Sequence, residues 1–185
     1  MRRSRMPLLV AIAFLIPATA HAGWFAGPNF GITHISPDGG EGATVFGWGG
    51  STALLGAWQP GLRVGGVLGS GQDEIFTDTG FEYIESGGSS ATALQLSGNY
   101  QHDFCKPKTS GAFVNLGGGI LSFGGSGTST TVPVFGAGLG YAESIVQGHG
   151  RFRVEARIDH QGEDTNAGLN AATLYSFRLG FDLIE

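Results

Sequence analysis

Residues 151–159 read Arg151-Phe152-Arg153-Val154-Glu155-Ala156-Arg157-Ile158-Asp159. Successive side chains of an extended chain point to opposite faces, so Phe152, Val154, Ala156 and Ile158 share one side and Arg153, Glu155, Arg157 and Asp159 the other. A helix would mix the two sets, so the stretch predicts a strand with one apolar and one charged face. The last residues repeat the pattern: Tyr175, Phe177, Leu179, Phe181 and Leu183 oppose Ser176, Arg178, Gly180 and Asp182. Upstream, Leu94, Leu96, Gly98, Tyr100 and Phe104 oppose Gln95, Ser97, Asn99, Gln101 and Asp103, with His102 as a polar member of the apolar side.

Working outward, the same alternation marks eight segments, at about 24–34, 44–58, 62–69, 92–104, 112–123, 132–142, 151–159 and 172–184, separated by clusters of Gly, Ser, Asp and Pro. An even number is what a closed up-and-down barrel with both ends on one side requires. Gln59-Pro60-Gly61, Cys105–Ser110 and Gln147–Gly150 read as short turns, whereas Ser36–Ala43, Ser70–Ala91, Gly124–Thr131 and His160–Ala171 read as longer polar loops. Short turns at one end and long loops at the other are the pattern of outer-membrane barrels, with the short turns toward the periplasm. The prediction is an all-β fold, an eight-stranded antiparallel up-and-down transmembrane β-barrel over residues 23–185.

The first 22 residues form a separate unit: a basic start at Met1-Arg2-Arg3-Ser4-Arg5, an apolar run from Leu8 to Ala20 broken by Pro17, and Ala20-His21-Ala22 as a cleavage site. That is the layout of a secretory signal peptide, and the run is too short for a spanning helix. The expected destination is the cell outer membrane. The formal charge of -5, with only 10 Lys plus Arg, argues against a nucleic-acid partner, and a single Cys excludes a disulfide framework or a thiolate metal site. The 34 Gly of 185 residues are too many for an ordinary domain and lack a collagen period. In a small barrel, inward Gly leaves room for large neighbours and permits the curvature of closure.

A soluble barrel would show the same alternation with its apolar face inside. The polar faces here carry few charges for a water-exposed surface. Arg153, Glu155, Arg157 and Asp159 alternate in sign, and Arg178 and Asp182 join them from the last segment, so these six are expected to pair inside the barrel. Trp24, Trp58, Phe104, Tyr141, Phe152 and Phe181 fall near strand ends beside the short turns or termini, where a periplasmic aromatic girdle would lie.

The Gly23-Trp24-Phe25 start, the run Val132 to Tyr141, the following Arg153-Val154-Glu155-Ala156-Arg157 and the aromatic last strand together resemble the small OmpA-like outer-membrane β-barrels over residues 23–185. The resemblance implies insertion by the outer-membrane assembly machinery, which reads an aromatic at the end of the final strand. Here the chain ends Phe181-Asp182-Leu183-Ile184-Glu185, and Phe181 is the candidate signal aromatic. The resemblance also implies a monomer surrounded by outer-membrane lipid and lipopolysaccharide.

His160-Gln161-Gly162-Glu163-Asp164 looks like the region of outer-membrane lipid A deacylases, in which a Ser follows the His by two residues. Gly162 occupies that place, so the nucleophile is missing, and no catalytic residue is predicted. Nor is a cofactor or a metal, since His34, His102, His149 and His160 occur singly. Asp73, Glu74, Asp78, Glu82 and Glu85 fall in the second long loop, while Asp38, Glu41, Glu163 and Asp164 fall in others. Arg63, Lys106, Lys108 and Arg151 gather toward the short turns. The expected outer surface is therefore acidic, solubilising in the simplest case and able to bind divalent cations in the other. Cys105 is expected to be a solitary thiol in a turn. The leading expectation is a non-enzymatic barrel serving envelope structure or surface contact. A lipid A-modifying barrel enzyme and a soluble periplasmic ligand-binding β-barrel are the alternatives.

Overall fold

The computed structural model describes residues 23–48, 61–86, 89–105, 109–125 and 128–185. These fold almost entirely into strands: β1 (Trp24–Pro37), β2 (Ala43–Trp48), β3 (Gly61–Leu68), β4 (Asp73–Ser86), β5 (Ser89–Asp103), β6 (Gly111–Gly125), β7 (Thr128–Ile145), β8 (Gly150–Gln161) and β9 (Ala172–Ile184). All pair antiparallel, and β9 returns to β1 through the ladder Phe25↔Ile184 to Pro37↔Ala172, which closes the barrel.

Nine strand segments fill eight positions in the wall. β2 pairs with the second half of β1, from Ile35↔Ala43 to Phe30↔Trp48, and β3 pairs with the first half, from Asn29↔Gly61 to Trp24↔Gly66. The two therefore lie in line on one edge of β1 and run the same way. They are not the antiparallel neighbours that a turn at Gln59-Pro60-Gly61 would make them. Gly61 opens β3, while Gln59, Pro60 and the rest of the expected 44–58 strand beyond Trp48 lie outside the described residues.

The eighth position is taken by β4, where the sequence reads as a loop. Glu74, Phe76, Asp78 and Gly80 are buried, while Asp73, Ile75, Thr77 and Thr79 are half-buried on the other face. Each face mixes polar with apolar residues, which removes the contrast that alternation relies on. The same holds at other strand ends: β1 runs to Pro37, and β6 and β7 together take up most of the expected 124–131 loop. The long strands reach 14 to 18 residues. Beside the termini the connections are 69–72, 104–110 and 146–149, and at the opposite end 38–42, 87–88, 126–127 and 162–171. The expected contrast between short and long connections is thus absent, because the ladders extend into all four expected loops.

Inward glycines let the wall close on bulky side chains. Arg63 stands opposite Gly27, Arg153 opposite Gly180, Arg157 opposite Gly138, and Arg178 opposite Gly31. A Cβ on Gly180 would lie 2.5 Å from both Arg153 Nη2 and Asn29 Oδ1. At Gly180 and Gly31 the missing side chain leaves room for an arginine to cross the lumen, whereas a Cβ on Gly27 would meet the backbone of Phe181 and Asp182.

Candidate functional site

The faces of the barrel divide by polarity. Inside, five arginines (Arg63, Arg151, Arg153, Arg157, Arg178) and five carboxylates (Glu74, Asp78, Glu155, Asp159, Asp182) are buried. Ionised groups out of water cost several kcal/mol each unless paired and hydrogen-bonded, and the equal numbers permit pairing throughout.

Near the termini, the Arg153 guanidinium grips Asp182 with Nε to Oδ2 at 2.7 Å and Nη2 to Oδ1 at 3.1 Å. Arg151 donates to the same carboxylate at 3.1 Å and to Glu74 Oε2 at 3.0 Å. Arg63 donates to Glu74 at 3.2 Å and to Gln101 Oε1 at 2.8 Å, and its guanidinium lies 3.4 Å from the Phe76 ring centroid. Toward the other end, Arg157 and Arg178 share Asp159 at 2.7 and 3.0 Å, and Arg157 also donates to Asn115 at 3.0 Å. Glu155 sits between Arg153 and Arg157, 3.9 Å from each. Asn29 joins the two groups, accepting from Arg153 at 2.6 Å and donating to Asp78 at 2.9 Å.

The structure thus places all six charges picked out in β8 and β9 inside the lumen and brings them together. It moves the expected loop acids. Asp73, Glu74, Asp78, Glu82 and Glu85 all lie on β4. Glu74 and Asp78 project inward among the arginines, so the acidic second loop is corrected to a wall strand that supplies counter-ions. Asp73 faces outward instead, accepting from Tyr100 at 2.6 Å. Arg63 and Arg151, expected toward the short turns, are buried inside the barrel. Lys106, Lys108 and Trp58 lie outside the described residues. Sequence reasoning missed Asn29, Gln101 and Asn115, which carry no charge. Gln101 had a signal in its position between the inward Asn99 and Asp103, whereas Asn29 and Asn115 stand among apolar residues and Gly and had none.

The end of the barrel away from the termini is apolar. Leu121, Val132 and Val134 form a buried cluster, covered in part by Phe123 and by Leu169 from the 162–171 loop. The loop is folded on itself by the Asp164↔Leu169 bridge, with Gly168 at φ +70° making its turn. Asp164 accepts from the Thr130 hydroxyl and from the amides of Asn166 at 3.1 Å and Ala167 at 3.3 Å. The Thr130 bond first, and the two amides with it, hold the Asp164 carboxyl below the usual carboxylate range. His160 packs against Phe135, with ring centroids 5.3 Å apart, and Gly162 donates its amide to Pro133 at 2.9 Å. Gly162, at the place the deacylase-like pattern gives to a Ser, carries no hydroxyl. Nor, among the described residues, is any group of three His, Cys, Asp or Glu placed to hold a metal ion.

The outward face is the reverse of the lumen. Leu139 is 65% exposed, Leu116 60%, Phe135 59% and Ile158 56%, and many other large apolar residues join them. Of the expected girdle, Trp24, Phe104, Tyr141 and Phe152 are exposed at the end of the barrel that holds the termini, and Phe181 is half-buried as the register partner of Phe152. Exposed apolar surface on this scale marks contact with something other than water.

No protein-family model matches the chain, and no curated protein matches its sequence. Solved structures do match its fold. Neisserial surface protein A superposes with a TM-score of 0.59 at 10% identity, covering 86% of this chain and 96% of that one. The outer membrane protein OprG from Pseudomonas aeruginosa superposes with a TM-score of 0.52 at 11% identity, covering 89% and 96%. The chain therefore has the fold of the small outer-membrane barrels, a closed eight-stranded antiparallel β-barrel.

Proposed function

We propose that this protein is a bacterial outer-membrane barrel without enzymatic activity that serves envelope structure or surface contact. The observation that carries the reading is the inverted polarity of the wall, with paired charge inside and large apolar side chains outside. In water this arrangement would expose the apolar area to solvent and desolvate ten charges. In a bilayer the outer face is solvated by hydrocarbon, and the antiparallel ladders, with β9 returning to β1, pair the backbone with neighbouring strands. The aromatic residues beside the termini suit a membrane interface, which puts the termini in the periplasm and the 38–42, 87–88, 126–127 and 162–171 connections at the cell surface. Apart from 162–171 these connections are short, so contact with a surface partner would be made by the barrel rim. Asp38, Glu41 and Glu163 supply exposed acids there. Lipopolysaccharide would surround the outer half of the wall and phospholipid the inner half, with insertion by the assembly machinery.

The test is gel mobility of the protein from purified outer membranes, with and without boiling. A closed membrane barrel resists detergent until heated, so a boiling-dependent shift in apparent mass is expected. Recovery in the soluble periplasmic fraction with no shift would overturn the reading. Unchanged lipid A mass on overexpression is the expected result for a barrel without deacylase activity.

A further inference from the structure

Strand register orders the outward face into diagonal rows. One row joins Asp73, His102, Val114, Leu139, Ala156 and Phe177 from β4 to β9. The next joins Tyr100, Leu116, Ala137, Ile158, Tyr175 and His34 from β5 round to β1. In each row one alanine falls between long side chains: Ala156 between Leu139 and Phe177, and Ala137 between Leu116 and Ile158. Small residues in the middle and long ones on both sides leave a groove of about 890 Å³ on the outside of the wall. Its outward side chains are apolar apart from Tyr100, Tyr175 and His34. From β5 to β1 the groove crosses five strand spacings, roughly 24 Å at about 4.8 Å each, which is the scale of an extended acyl chain.

The groove ends on a polar cluster at the termini side. Tyr100 lines it and donates to Asp73 Oδ1 at 2.6 Å, and His102 Nδ1 lies 2.8 Å from the same oxygen. Both contacts use Oδ1, so Oδ2 is engaged by neither. The His102 and Asp73 side chains are 38% and 36% exposed, and the imidazole meets the Phe104 ring edge-on at 5.3 Å. A carboxylate on the outer face of a membrane barrel is tolerated near an interface, where headgroups replace hydrocarbon.

We propose that groove and cluster together bind one phospholipid of the periplasmic leaflet carrying an ethanolamine headgroup. An acyl chain lies over Ala137 and Ala156, and the ammonium donates to Asp73 Oδ2, the oxygen that the Tyr100 and His102 contacts leave open. The Asp73 carboxylate places a negative acceptor at the end of the groove, which matches a headgroup that carries a cation. A primary ammonium can donate to the carboxylate, whereas an anionic glycerol headgroup has no cation to bring to it. The inference rests on the bilayer reading proposed above.

The experiment reconstitutes the full barrel in bilayer discs of equal parts phosphatidylethanolamine and phosphatidylglycerol with matched chains. The protein is then extracted into mild detergent, and its retained lipids are counted by native mass spectrometry. Wild type is expected to retain ethanolamine lipid in excess. Asp73→Asn should lose that preference by about two- to fivefold, the range an exposed ion pair supplies. Ala137→Phe and Ala156→Phe, which fill the groove, should lower retention of both lipids. Retention in the proportion supplied, or an undiminished preference in Asp73→Asn, would overturn the proposal. The boiling-dependent gel shift is read on the same samples. A shift without lipid preference sinks this inference alone, and no shift sinks the barrel reading with it.

Discussion

Arg178 on β9 and Gly31 on β1 are register partners across the seam where the last strand closes on the first. A Cβ on Gly31 would lie 3.3 Å from Arg178 Cγ and 2.6 Å from the Phe177 carbonyl oxygen. The seam thus closes only because one partner lacks a side chain and the other crosses the lumen to Asp159. Gly31→Val and Gly180→Val are expected to destabilise the barrel by about 1–3 kcal/mol or more through overpacking. Gly98 is the control, since a Cβ there meets nothing within 4 Å and its backbone is unstrained, so Gly98→Ala should be near neutral. Urea unfolding from lipid vesicles measures all three.

Asp182 is the shared acceptor of Arg151 and Arg153 and is fully buried. Asp182→Ala removes the acceptor that the two guanidinium groups share, leaving Arg151 on Glu74 and Arg153 on Asn29, and is expected to cost about 3–5 kcal/mol, the usual range when one member of a buried ion pair is removed. Arg153→Met combined with Asp182→Leu removes both charges in apolar form and should recover part of that loss. The denaturation midpoints of the single and double variants decide it. A double variant no better than Asp182→Ala would mean that the network stabilises through more than charge balance.

Leu139 projects outward from β7 at 65% exposure. On a soluble protein, arginine at such a surface site changes stability by at most about 0.5 kcal/mol. On the lipid-facing wall of a membrane barrel the expected cost is about 2–4 kcal/mol near the midplane. Leu139→Arg unfolded from bilayers therefore separates the two environments, and the larger loss is the expected outcome.

The 162–171 loop supplies a pH-dependent element. Because the Thr130 hydroxyl and two loop amides depress the folded-state pKa of Asp164, its stabilising contribution is full above the unfolded carboxylate pKa. It is lost as pH falls through the lower folded value. Hydrogen-exchange protection of the Asn166 and Ala167 amides, corrected for intrinsic rates, should hold at neutral pH and fall only under acid conditions below the ordinary carboxylate range. Asp164→Asn should lower that protection at neutral pH and remove its dependence on acid.

β8 and β9 were legible in the sequence because their inward residues are charged and their outward ones apolar, so the two-residue period stands out at every step. β4 was not, because Phe76 interrupts the inward acids and Thr77 and Thr79 interrupt the outward apolar residues, leaving two mixed faces. Periodicity also reports which face a residue takes and says nothing of which strand lies beside it. That is why β2 and β3 read as separate wall strands, and why Glu74 and Asp78 read as loop charges although Arg63 and Arg151, their partners in space, were already picked out. Gly31 and Gly180 held part of the missing information, but only once the register paired each with its arginine.

Trp48 stands opposite Phe30 and Gly61 opposite Asn29, so neighbouring rungs of one ladder are filled by residues on either side of 49–60. Joining Trp48 directly to Gly61 would preserve the direction of the strand and the facing of every residue after it. Both segments thus keep a single alternation of inward and outward residues along β1. One uninterrupted strand, β1, therefore serves as the template that sets the facing of two separate stretches of chain, and with it the side of the wall on which Arg63 falls.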